Sequence, residues 1–122
     1  MLASARRDCL LTFQAVSEFY AAVFRKRIVP AALAAERVRD WLTAFRCVPV
    51  TEPAIRAALL HALGERMSYW DALLVATAAQ AGCTLVLTED MADGAVLEGL
   101  RIHNPFAPDG NLTGLTRQLL DL

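Results

Sequence analysis

A parallel α/β fold is predicted from three observations. Short apolar runs, Asp8–Phe13 (DCLLTF) and Thr84–Thr88 (TLVLT), read as strands, as does Leu100–Asn104 (LRIHN) before Pro105. Segments of helical period separate them, which is the pattern of strand–helix–strand units. Punctuating residues, among them Pro30, Pro53 and Gly82, fall at the boundaries. Alternation of this kind points to a parallel sheet with helices packed on it.

Taken in order, Asp8–Phe13 is the first strand. Thr12 or Phe13 then opens a helix, Gln14 to about Arg27, whose expected buried side is Phe13, Val16, Phe19, Tyr20 and Val23. Its last residues, Arg25-Lys26-Arg27, suit the negative end of the helix dipole. Pro30 fits the first position of a second helix reaching about Phe45, with Leu33, Val38, Trp41, Leu42 and Phe45 as its apolar stripe. Cys47–Val50 is a brief strand that Pro49 places at an edge. Thr51 caps a third helix, to about Leu63, with Glu52 and Pro53 in its first turn. Ser68 caps a fourth, Tyr69 to about Ala81, rich in Ala and Leu and stopped by Gly82. Thr84–Thr88 follows as a strand and delivers Glu89 and Asp90 to its carboxyl end. Met91–Gly94 is a turn, Ala95–Leu100 a short segment, and Leu100–Asn104 the final strand before Pro105. The tail allows one more turn at Leu115–Leu120.

With 122 residues the chain is expected to form one domain, spanning 1–122, and its 56% hydrophobic content is high enough to leave apolar surface for a partner. A net charge of -1 excludes a global electrostatic attraction to nucleic acid, so any such contact is local. Cys9, Cys47 and Cys83 are far apart, odd in number and set among apolar residues, as for reduced packing cysteines in a cytosolic protein. Neither His61 nor His103 stands at zinc-ligand spacing from them, and His103 reads as structural. Charges interrupt every apolar stretch before membrane-spanning length, and Met1–Asp8 lacks a signal-peptide core, so a cytoplasmic location is expected. No Gly-rich phosphate loop follows a strand, which argues against a nucleotide-binding domain.

The candidate chemistry lies with acids at strand and helix ends. Asp90 sits at the carboxyl end of a strand, where open α/β sheets bind ligands. Asp71 stands in the first turn of the Ser68-capped helix, and Ser68-x-x-Asp71 also fits a capping pattern in which the carboxylate simply returns a bond to the helix end. Glu18 follows Gln14 by one helical turn among Ala15, Phe19, Ala21 and Ala22. It is costly to bury there without a positive partner; otherwise it is a wet residue at the rim of the apolar face. Asp90 could equally cap a short turn.

These residues recur together in a known pattern. Gln14-x-x-x-Glu18-Phe19-Tyr20 with Arg25-Lys26, Ser68-Tyr69-Trp70-Asp71-Ala72-Leu73, Thr88-Glu89-Asp90-Met91-x-Asp93-Gly94 and Leu100-Arg101-Ile102-x-Asn104-Pro105-Phe106 resemble, in order, the PIN domain. Within that family the resemblance is to VapC-type toxins of bacterial toxin-antitoxin pairs. It implies a three-layer α/β/α fold and a metal-dependent endoribonuclease that cuts RNA with magnesium or manganese, is neutralised by a cognate antitoxin protein and forms a homodimer. By position, Glu18, Asp71 and Asp90 are the implied metal ligands and catalytic acids, and Thr88 the implied hydroxyl that orients a water. Asp93 is a fifth candidate, with a turn residue as its alternative. Hard cations choose carboxylate oxygens, and magnesium retains waters, so a few acids around a wet pocket suffice. Arg66 and Arg101 are candidate RNA contacts, with ordinary surface charge as the alternative.

The resemblance also carries a departure. Members of the family place a first acid after an N-terminal central strand, and this chain begins where the second strand is about to start. The strand, its helix and loops, on the order of 30 residues, are expected to be missing. Neighbouring strands are then expected to lack partners, leaving an apolar edge. Asp8 is a poor substitute, because it stands at the amino end of its strand, about 16 Å from the carboxyl edge. The expectation is a weak ribonuclease, or a PIN-like remnant acting only as a protein-binding module.

Overall fold

The computed structural model describes residues 9–27, 29–88, 91, 94–104, 106–111 and 113–114. Asp8, Glu89, Asp90, Asp93, Pro105 and the turn expected at 115–120 lie outside them. The elements are β1 (Leu10–Thr12), α1 (Phe13–Lys26), α2 (Ala31–Ala44), β2 (Arg46–Val48), α3 (Glu52–Leu63), α4 (Tyr69–Gln80), β3 (Leu85–Leu87), β4 (Val96–Leu97) and β5 (Leu100–His103).

Hydroxyl caps set three of the helix starts. Thr12 Oγ1 accepts from the Ala15 amide at 3.0 Å, Thr51 Oγ1 from Ala54 at 3.3 Å and Ser68 Oγ from Asp71 at 3.2 Å. Each satisfies a donor that the first helical turn leaves unpaired. Pro30 stands one place earlier than expected: it is the N-cap of α2, and its carbonyl accepts from Leu33 and Ala34. Arg27 ends α1 in the left-handed region at φ 53°, and Gly82, at φ 90°, turns the chain from α4 towards β3.

The predicted strands pair in parallel, but among the described residues they form two sheets. β1 pairs with β2, Leu10 opposite Arg46, and β3 pairs with β5, Leu85 opposite Arg101. Among the described residues β1 and β3 are each the end strand of their sheet. Helix α4 spans the separation, touching β1 and packing on the sheet that holds β3 and β5. Cys9, Arg46 and Cys83 meet at the amino ends of β1, β2 and β3. There burial pushes the Cys83 thiol up, with the Arg46 charge opposing and Cys9 adding to the rise.

The core has two parts, and α4 belongs to both. Ala54 and Ala58 of α3 meet Ala72, Leu73 and Ala76 of α4, an Ala-rich seam at one-turn spacing that lets the two helix axes approach closely. The other face of α4, Val75 and Ala78, covers Leu100 and Ile102 of β5. Burial on both faces explains why α4 is almost uniformly apolar.

The outer helices depart from expectation. Val16 and Val23 of α1 are buried, but Phe13 and Phe19 are exposed and Tyr20 is half-buried. In α2 only Ala34 is buried, while Leu33 and Leu42 of the expected stripe are exposed. The reason is that α2 packs chiefly on α1, through contacts such as Phe19 against Trp41 at 4.7 Å between ring centres, and has little sheet beneath it. The segment at Ala95–Leu100 contains an unforeseen strand: β4 pairs antiparallel with β5 through a two-residue turn, Glu98-Gly99, with φ 54° and 74°. Positive φ at both positions is the signature of a type I′ hairpin. His61 Nε2 of α3 meets Glu98 Oε1 at 2.7 Å and fastens that turn to the helix.

Candidate metal centre

The starts of α1 and α4 lie together. Thr12 closes β1 and caps α1, so Gln14 and Glu18 project from the first turns of a helix that starts at the carboxyl end of a strand. Helix α4, 12 residues and so about 18 Å long, runs away from Asp71 to Gly82. From Cys83 the chain then enters β3 and reaches Thr88 about 16 Å further along. The Thr88 amide donates to His103 O at 3.0 Å, extending the β3–β5 ladder to the carboxyl edge.

One side chain ties two of these elements together. Gln14 Nε2 donates to Glu18 Oε1 at 3.0 Å and to the carbonyl of Trp70 at 2.9 Å. Trp70 immediately precedes Asp71, so a single amide group links the Glu18 carboxylate to the turn that carries Asp71. The Gln14 Oε1 atom is buried and has no hydrogen-bond partner among the described residues. Such an orphan costs about 1–3 kcal/mol and is rare in folded proteins.

Asp71 itself behaves unlike a helix-capping acid. Its amide donates to Ser68 Oγ, but among the described residues its carboxylate makes no reciprocal bond to the Ser68 amide and no ion pair. The capping box is thus half formed, and the half-buried Asp71 carboxylate is not consumed by it. Glu18 is exposed, and its described partner is the neutral Gln14 amide. This is the wet-rim setting, not burial among the alanines.

Oxygen donors of this kind, two carboxylates with no cationic partner among the described residues, fit a hard divalent cation in type. Among the described residues no group of three or more His, Cys, Asp or Glu side chains lies together, and Asp90, the third implied acid, is outside them. The structure therefore joins the helices of Glu18 and Asp71, and Thr88 stands just past the carboxyl end of β3. Gln14 has a part that its sequence spacing hinted at only through the i, i+4 relation to Glu18.

The profile described as PIN domain matches residues 2–92, about three-quarters of the chain. The chain belongs to the PIN-domain family. PIN domains are metal-dependent nucleases and generally use divalent metals, and in many cases they act as VapC-type toxins. The mixed α/β architecture with parallel strands agrees with this membership. Among curated proteins none matches the chain. No helix among the described residues of this PIN domain is long and apolar enough to cross a membrane.

Proposed function

We propose that this PIN domain is a VapC-type, magnesium- or manganese-dependent endoribonuclease of a toxin-antitoxin pair, with Glu18, Asp71 and Asp90 as metal ligands. The observation that carries the reading is the Gln14 bridge, which draws Glu18 to the Asp71 turn while neither acid has a cationic partner among the described residues. Glu18 and Asp71 would hold the cation from two helices, and Asp90 comes two residues after Thr88 in the sequence. A cation bound there supplies a nucleophilic water at neutral pH and stabilises charge on the scissile phosphate. Thr88 would orient that water through its hydroxyl, and exposed Arg66 and Arg101 offer positive charge to the RNA backbone. The cytoplasm is the proposed setting, the chain acting as one domain.

The apolar face of α3 supports homodimer formation and antitoxin binding as partner roles. Ile55, Leu59 and Leu63 recur every fourth residue with Leu60 beside them, and Leu63 is 81% exposed. That same face, together with the divided sheet, favours a second reading, a protein-binding module with no activity of its own.

Cleavage of a mixed-sequence single-stranded RNA decides between them. The nuclease reading expects weak hydrolysis that needs added magnesium or manganese, stops on chelation and falls by more than about 100-fold in Asp71→Asn or Asp90→Asn, beyond the loss usual for outer-shell partners. Cleavage indifferent to chelation would overturn it. No cleavage with intact folding selects the binding module.

A further inference from the structure

We infer that Gln14 is a positioning residue, whose amide NH2 fixes the Glu18 carboxylate relative to the Asp71 turn so that the two acids take one divalent cation together. This rests on the metal-site reading above and names a residue that the reading does not require.

Chemistry settles the orientation of the amide. Both of its partners, the ionised Glu18 carboxylate and the Trp70 carbonyl, are pure acceptors, so the NH2 group must face them and Oε1 must face away. Turned the other way, the oxygen would oppose two acceptors at once. Both NH2 hydrogens are thus committed, one to each side of the junction between α1 and α4.

Neutrality is the second part of the argument. A lysine or arginine at position 14 would hold Glu18 at least as firmly, but its charge would compete with a cation for that carboxylate. An amide orients the oxygen and leaves the charge in place. A purely structural stitch between α1 and α4 has no use for this distinction. Glu18 is exposed and long, so without the bond its carboxylate is free to sample several rotamers.

Mn2+ titration calorimetry on the full chain tests the assignment, with circular dichroism confirming that each variant is folded. Gln14→Met keeps the length of the side chain and removes both donors. It is expected to weaken Mn2+ binding by about 10–100-fold, the range for partners that orient a metal ligand. Glu18→Gln should weaken it as well, and adding Gln14→Met to Glu18→Gln should produce no further loss, since the amide acts through Glu18. An equal loss in both backgrounds would mean that the bond is only a structural stitch, and the inference fails. It fails too if Gln14→Met binds Mn2+ normally while Glu18→Gln does not, an outcome that leaves the metal site standing. If neither Glu18→Gln nor Asp71→Asn alters binding, or if the unaltered chain binds no Mn2+, the metal-site reading itself falls and the inference with it. Should Gln14→Met not fold, Gln14→Asn serves: its amide is one methylene too short to span both acceptors, and it must show the same loss.

Discussion

Replacing Thr12 by Val separates the cap on α1 from the packing around it. Thr12 is 4% exposed, and its Oγ1 accepts from the Ala15 amide at 3.0 Å. Valine keeps the shape, so the loss is the cap bond together with a donor stranded in a partly buried position. Caps are worth about 0.5–2 kcal/mol and stranded buried donors about 1–3 kcal/mol, which places Thr12→Val near 2 kcal/mol. For 122 residues the entropy of unfolding is about 0.26 kcal/mol/K, so each kcal/mol moves Tm by about 4 °C and Thr12→Val by about 8 °C. Ser68 caps α4 in the same way but is exposed, so water can replace its hydroxyl, and Ser68→Ala should lower Tm by about 2–4 °C. Thr12→Ser keeps the cap and loses a methyl group, for about 1 kcal/mol. Thermal melts followed at 222 nm give the three values. A Thr12→Val variant melting within 2 °C of the unaltered chain, or a Ser68→Ala variant losing more than Thr12→Val, refutes the argument that burial decides what a cap is worth here.

Two further outcomes follow from the core and the strand ends. Leu100→Ala removes a side chain that is fully buried against Val75, Ala78 and Ile102, and it should cost about 2–5 kcal/mol, read as a lower urea midpoint. Because burial raises the Cys83 thiol above its ordinary range, less of it is thiolate at pH 8, so iodoacetamide should label it more slowly than an unstructured cysteine peptide and catch up as the pH rises. Arg46→Gln removes the charge that opposes the rise and should slow that labelling further, as followed by peptide mass spectrometry.

The central part of this architecture was legible because it depends on local chemistry. Ser68 and Gly82 mark the two ends of α4, and Thr51 marks the start of α3, through bonds that neighbouring residues make with one another. Burial on the outer helices was not legible. Leu33 and Leu42 have the period of a core stripe, but period shows only which residues share a face, and what lies under that face is decided by strands distant in the chain. The β4–β5 hairpin escaped because Glu-Gly is a weak turn signal beside Asn-Gly, and β4 is only two residues long. At the candidate site, spacing singled out Glu18 and Asp71, whereas the role of Gln14 depends on a carbonyl 56 positions away.

The Glu98-Gly99 turn bears on how substitution data for this chain should be interpreted. Glu98 occupies left-handed backbone space at a cost of about 1–2 kcal/mol for an L-residue, yet its side chain reaches His61 at 2.7 Å. Asparagine would relax the backbone and sever the tether, two changes of similar size and opposite sign. A scan that records only folded yield would score this position as tolerant, although the residue is held there by two opposing requirements. Apparent neutrality at such a site is a cancellation, and it would disappear in any background where His61 had already been replaced.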